Sequence, residues 1–370
     1  MRKLPRRVYE KHGSYWFVDR QRVWYKLSRV SDGEAKMYLA LAARLEVHSL
    51  TSMAAAIGAF KNEYLPTLAA CTRKEHARLL DIAANEFEKF EVGDVQPSDI
   101  ARSVKNLYAN RPTAARHYKA RLSTFFRWTV TQGLRNDNPC REVWLKAPPK
   151  RDRYISDDEL LDIRAALLLG DDMKPTPSGE MVRCFVDLCY LTAQRSTDVR
   201  RLLLTQVRDD AIAFRPSKTA HSSGARVLIP LTTSIREVLE RAKACGASHH
   251  EGSKRNCNVK SIYVIHSLDG NAYTMSGLRS AWVRAVSRAR KKYVENCEHE
   301  GIAPSDTYLV GVTIKDLRPK ALTDAERAGF TIEELKTAAA HASVTTTEGY
   351  VKTYREPVSK VKLSLPSRKS

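Results

Sequence analysis

The sequence predicts a multidomain α+β protein: a small β-rich N-terminal arm, a mostly helical domain and a mixed α/β domain. Three features carry that expectation. Residues 51–143 place apolar side chains at helical spacing and contain no strand-like run. Two regions, 14–27 and 211–231, alternate as strands around polar turns. Between the helical and mixed parts, Pro148 and Pro149 stiffen a basic stretch that reads as a linker. A chain of 370 residues is long enough for two or three domains with cores of their own.

Composition narrows the partners. Lys and Arg number 62 against 42 Asp and Glu, a net charge of +20, which favours a polyanion and most simply nucleic acid. A hydrophobic fraction of 43% argues against general disorder. The seven cysteines are odd in number and irregular in spacing, so they read as free thiols rather than a disulfide framework. Cys245, His249, His250, Cys257 and His266 include no CxxC pair, so no metal is assigned. No apolar run reaches membrane-spanning length and no signal-like segment opens the chain. The expectation is an intracellular protein without membrane partners or cofactors.

Residues 1–45 form the arm. SYWFV and RVWYKL read as two strands about the turn Asp19-Arg20-Gln21, followed by a helix over 32–47 with Met37 and Leu41 on one face. Arg6, Arg7, Arg20, Arg22 and Lys26 suit a hairpin lying in a DNA groove; a hairpin packing its aromatics on the next domain is the other reading. Residues 48–146 form the helical domain of four to five helices. Pro97-Ser98-Asp99 opens one helix and Thr113 another, which ends at Gly133 before Asn138-Pro139. In that last helix Tyr118, Leu122, Phe125, Phe126 and Thr129 are expected in the core. Arg116, Lys119, Arg121 and Arg127 are expected outside, where Lys119 and Arg127 are candidate DNA contacts. The linker, 147–155, adds Lys150 and Arg151 to those candidates.

The mixed domain spans 156–356. Ser156 reads as a helix N-cap with acids in the first turn. An apolar helix ending near Tyr190 runs into Arg195, so a helix–helix junction holds a guanidinium whose fork matches two phosphate oxygens. Residues 211–231 read as two strands with Lys218 on the turn between them. Residues 249–257 read as a loop and 262–266 as a short strand. Thr274 opens a strongly basic helix, from which Arg284 and Arg288 are candidate backbone contacts. Lys315 and Arg318, three apart, would share one helix face. His341 precedes a Ser/Thr turn, with Thr345 or Thr346 as N-cap of a short helix presenting Tyr350. A phenol there is a candidate nucleophile if cations assist it. Residues 357–370 form a basic tail.

In order, Arg195, Lys218, Lys315-x-x-Arg318, His341 and Tyr350, ending in HxSxxTTxxY, resemble the tyrosine recombinase (phage integrase) family. The likeness is close over the C-terminal half and loose over the middle. It implies a helical core-binding domain, a catalytic domain and an N-terminal arm-site domain. It also implies that Tyr350 attacks a DNA phosphodiester to leave a 3′-phosphotyrosyl link. Arg195, Arg318 and His341 would stabilise the charged transition state, and Lys218 would protonate the leaving 5′ oxygen. Asp198, three residues after Arg195, would support the site. Lys315 stands where the family has His, and Ala340 where it often has Gly. The implied partners are double-stranded DNA at core and arm sites, a homotetramer on that DNA, and a DNA-bending or excision accessory protein in a bacterial host cytoplasm. Integration and excision of a phage or other mobile element is the implied role. A type IB topoisomerase-like enzyme and a non-catalytic DNA-binding relative are the alternatives.

Overall fold

The computed structural model describes residues 4–18, 22–49, 51–149, 151–218, 224–252 and 261–351. It is a multidomain α+β fold that divides into two units, 1–150 and 151–370.

The first unit opens with three strands rather than two: β1 (Val8–Lys11), β2 (Ser14–Val18) and β3 (Trp24–Arg29), antiparallel in that order. β1 escapes sequence reading because only Val8 of VYEK is buried. Val8, Tyr15 and Phe17 pack against Met37 and Leu41 of α1 (Glu34–Ser49), and the Arg44 guanidinium covers Tyr25 at 3.6 Å. The opposite face of the sheet shows Tyr9 and Trp24 together, with Lys11 over the Trp24 ring. The Asp19-Arg20-Gln21 turn lies outside the described residues.

A second core in this unit joins α2 (Met53–Tyr64), α3 (Ala70–Glu86), α4 (Pro97–Tyr108) and α5 (Pro112–Thr131). Asp99 returns its carboxylate to the Gln96 N–H, which starts α4. Tyr118, Leu122, Phe125, Phe126 and Thr129 are all buried, as 3.6-residue spacing requires. Arg121 departs from its expected outward position: it donates to Tyr64 Oη, which stacks on His76.

The second unit has a large apolar core and a smaller cluster of Ala193, Ala321, Leu322, Leu335 and Ala339, against which Tyr350 packs. The large core gathers α6 (Asp157–Ala166), α7 (Gly179–Thr192), the strand pair β4 (Ala211–Phe214) and β5 (Val227–Pro230), α9 (Thr233–Gly252) and α10 (Met275–Glu300). A one-turn helix, α8 (Ser196–Val199), follows α7. Ser156 and Glu159 cap α6 reciprocally. Two sequence expectations fail here. The 249–257 loop is partly helix, since α9 runs through Gly252. The 262–266 strand is only isolated bridges, Leu203 to Tyr263 and His266 to Ala272, because no neighbouring strand among the described residues offers a ladder. Three short helices follow among the described residues: α11 (Leu317–Arg327), α12 (Ile332–Ala338) and α13 (Val344–Glu348). Among the described residues no helix is long and apolar enough to cross a membrane.

Candidate active site

Arg318 is the centre of the site. It sits in the first turn of α11 and is only 4% exposed. Its Nη1 donates to the Ala193 carbonyl at 2.7 Å, and its Nη2 to the Ala339 carbonyl at 2.6 Å. These carbonyls lie at the C-terminal ends of α7 and α12, where helices leave backbone acceptors unsatisfied. A cation is favoured at such ends, by roughly 0.3–2 kcal/mol each. Both helices stop through a left-handed alanine: Ala193 at φ 52° and Ala340 at φ 49°. After α12 the His341 N–H reaches the Lys336 carbonyl and the Ala340 N–H the Thr337 carbonyl, the paired bonds of a Schellman ending. That geometry is the physical reason a glycine would suit position 340. It also delivers His341 to Arg318.

His341 is 6% exposed. Its Nε2 lies 2.6 Å from Arg318 Nη2 and its Nδ1 2.9 Å from Thr347 Oγ1. Guanidinium has no acceptor, so Nε2 accepts and the ring proton is assigned to Nδ1. Burial, then Arg318 and Arg195, push the His341 pKa down to about 4, so the ring is neutral at ordinary pH. Tyr350, one residue past the Gly349 end of α13, stacks on His341 with centroids 5.1 Å apart and planes at 19°. The Arg318 Cζ is 5.4 Å from the same phenol ring. The N-cap of α13 is Ser343 rather than Thr345 or Thr346, and it makes no side-chain cap bond.

Arg195 occupies the α7–α8 junction as the N-cap residue of α8. Its charge adds to burial in lowering Arg318 to about 10, which leaves Arg318 charged near neutrality. Two guanidiniums whose charges act on each other would be relieved by a bound anion. Among the described residues, buried atoms without a hydrogen-bond partner include Arg195 Nη1, Arg318 Nε, Asp198 Oδ2 and Gln194 Oε1. Such groups are uncommon in folded proteins, and here several gather along 194–198 and 318. Gln194 Nε2 meanwhile donates to the Ala338 carbonyl, tying the junction to α12.

Asp198 does not pair with Arg195. Its Oδ1 accepts from the N–H of Ser217 at 3.0 Å and from the Ser217 hydroxyl at 2.7 Å. Ser217 immediately precedes Lys218, which is exposed at the last described position before 219–223. Lys315 lies in a 3-10 turn, Ile314–Asp316, that leads into α11. The shared helix face expected for Lys315 and Arg318 is not realised: Lys315 is exposed and Arg318 buried. Among the described residues no cluster of His, Cys, Asp or Glu could hold a metal ion.

Sequence reading missed four contributors. Thr347 stands six residues after His341 and one turn before Tyr350. Ser217 adjoins Lys218, and Asp316 adjoins Lys315. Lys320 is fully buried two residues beyond Arg318, paired with Asp157 and Asp324 and facing the rings of Tyr154 and Tyr190. Of the candidate DNA contacts, Arg6, Arg22, Arg127 and Arg284 are exposed, whereas Arg7 and Lys119 are half-buried. Lys150 lies outside the described residues. Two have partners within their own unit. Arg288 donates from Nε and Nη2 to the Ala166 carbonyl at the end of α6, because that helix end needs donors. Arg151 is held by Asp316 and the Gly311 carbonyl.

No protein-family model and no curated protein matches the chain. Solved structures do. A lambda integrase tetramer bound to a Holliday junction has a TM-score of 0.66 at 17% identity, over 98% of this chain and 99% of that one. The Tn1549 transposon integrase in complex with circular intermediate DNA scores 0.60 at 12% identity, over 81% and 95%. The XerH site-specific recombinase in a post-cleavage complex on palindromic difH scores 0.53 at 14% identity, over 76% of each chain. At these identities the likeness is one of fold.

Proposed function

We propose that this chain is a tyrosine-type site-specific DNA recombinase that cleaves and rejoins DNA strands at attachment-type core sites. The observation that carries the reading is the meeting of Arg318, His341 and Tyr350, with Arg195 near enough to depress the first two. Two guanidiniums and a phenol in one place suit in-line attack on a phosphodiester. The net charge of +20 and the DNA-bound state of the lambda, Tn1549 and XerH structures support a DNA substrate.

Tyr350 Oη attacks phosphorus as the bond to the 5′ oxygen breaks. The phenol releases its proton to solvent, and Lys218 supplies one to the leaving oxygen, which would otherwise depart as a poor alkoxide leaving group. Arg195 and Arg318 offer donors to the non-bridging oxygens, and Lys315 adds a point cation. The 3′-phosphotyrosyl link keeps the energy of the broken bond, so a 5′ hydroxyl from a second strand reverses the step and completes exchange. The chain works as a homotetramer on DNA, in keeping with the lambda integrase tetramer on its Holliday junction. The outer face of the N-terminal sheet, with Tyr9, Lys11 and Trp24, is a second DNA-reading surface for arm sites.

A nicked duplex that loses its 5′ fragment on cleavage tests this. A covalent protein–DNA adduct followed by recombination between two sites is the expected result. An adduct that only reseals one duplex identifies a topoisomerase-like enzyme, and tight binding without any adduct identifies a DNA-binding relative.

A further inference from the structure

We propose that Arg151 is a positioning residue for Lys315, acting through Asp316, and not a DNA contact. The inference rests on the recombinase reading. Asp316 lies between Lys315 and Arg318 in the segment Lys315-Asp316-Leu317-Arg318, and the residue is 2% exposed. A buried carboxylate requires donors. Four reach it: the Thr313 N–H at 2.8 Å, the Thr313 hydroxyl at 2.9 Å, Arg151 Nε at 2.7 Å and Arg151 Nη2 at 2.5 Å. The last two form a bidentate pair, the geometry in which a guanidinium is most directional. Arg151 Nη2 also donates to the Gly311 carbonyl at 2.5 Å. One side chain therefore fixes the 311–316 segment at both ends.

Neighbouring residues act in the same direction. Arg153 donates to the carbonyls of Val310 and Thr307 and pairs with Glu159. Glu159 in turn receives the Leu309 N–H. Lys315 itself is exposed on a 3-10 turn of three residues, where the backbone hydrogen-bond geometry is poorer than in an α-helix. The turn that carries it is tied through Asp316 to Thr313, and Asp316 is held by Arg151. A cation must be held close to productive geometry to serve a phosphate, since small misplacements cost rate steeply.

The test compares Arg151→Ala, Arg151→Lys and Asp316→Asn with wild type. Three quantities are read: affinity for a core-site duplex across a salt series, single-turnover cleavage, and hydrogen exchange at the Thr313 amide. The proposal expects Arg151→Ala and Asp316→Asn each to slow cleavage by about tenfold or more, because small misplacements of a catalytic group are amplified in rate. Affinity stays within about twofold and the salt slope is unchanged, because no phosphate contact is lost. Arg151→Lys falls between, keeping the charge without the fork. Thr313 exchange quickens in all three. A phosphate contact predicts a different pattern: Arg151→Ala weakens binding and lowers the salt slope by about one, while Asp316→Asn leaves cleavage intact. That pattern overturns the proposal, as does unchanged Thr313 exchange in Arg151→Lys and Asp316→Asn, the milder variants. If wild type forms no adduct, the recombinase reading fails, and the exchange result still decides whether Arg151 holds the turn.

Discussion

His341 donates from Nδ1 to the buried hydroxyl of Thr347, and this fixes which ring nitrogen faces Arg318. Thr347 is fully buried one helical turn before Tyr350, so the same short helix orients both the imidazole and the phenol. Thr347→Val keeps the shape and removes the acceptor. A buried donor left without a partner costs about 1–3 kcal/mol. The expected outcome is a loss of roughly tenfold or more in single-turnover cleavage, the rate equivalent of 1.4 kcal/mol and upward. Thr347→Ser should restore most of it. A fully active Thr347→Val would show that the tautomer is held by Arg318 alone.

The low pKa of His341, about 4, sets a pH window. The unfolded ring titrates near 6.5, so the unfolded chain binds more protons between 6.5 and 4. The contribution of His341 to stability is therefore complete above 6.5 and declines as pH falls through that window. NMR titration of the imidazole should show no transition near 6.5. Cleavage should likewise lack an acid step from this position there. Lys315→His, which places an imidazole on the exposed turn, should add a step near the reference value. A wild-type step near 6.5 that Lys315→His leaves unaltered would contradict this assignment.

Ala340 holds φ 49° at the Schellman ending that aims the Ala339 carbonyl at Arg318. Ala340→Gly relieves roughly 1–2 kcal/mol of left-handed strain. It gives back about 0.5–1 kcal/mol in unfolded-state entropy and about 0.8 kcal/mol of methyl burial. Stability by denaturant titration should stay within about 1 kcal/mol of wild type, since these contributions nearly offset. Ala340→Val should lose both stability and cleavage, because a β-branched residue fits this region poorly. Tolerance of valine would mean the turn is not needed.

Ser217 ties the residue before Lys218 to Asp198. Lys218→Ala should abolish most cleavage of ordinary DNA. It should recover on a substrate whose leaving 5′ oxygen is replaced by sulfur, because a thiolate departs without a proton donor. Ser217→Ala should lose less, by about fivefold, and show the same rescue, since one hydrogen bond of about 1 kcal/mol orients the acid without being it. Loss in Ser217→Ala that sulfur does not rescue would assign Ser217 to the fold rather than to Lys218.

Much of the fold was legible because its signals are local. The cap at Ser156, the periodic aromatics of α5 and the Thr274 cap each lie within a turn of what they control. Arg318, His341 and Tyr350 were legible as a set only through their order along the chain. What held them was not. Arg151 and Asp316 are 165 residues apart, and no spacing rule links them. Arg288 looked like part of a basic stripe, yet its guanidinium serves a helix end 122 residues earlier. β1 was missed because a four-residue strand with one buried side chain carries almost no alternation.

The most direct test is whether Tyr350 becomes covalently joined to DNA. Wild type and Tyr350→Phe are incubated with the nicked core-site duplex, the adduct is isolated under denaturing conditions, and the DNA-bearing peptide is sequenced. The account predicts an adduct on Tyr350 in wild type. It predicts none in Tyr350→Phe, with affinity for the duplex unchanged because only the phenolic oxygen is removed. An adduct of equal yield in Tyr350→Phe, or one mapped to another tyrosine, would contradict it.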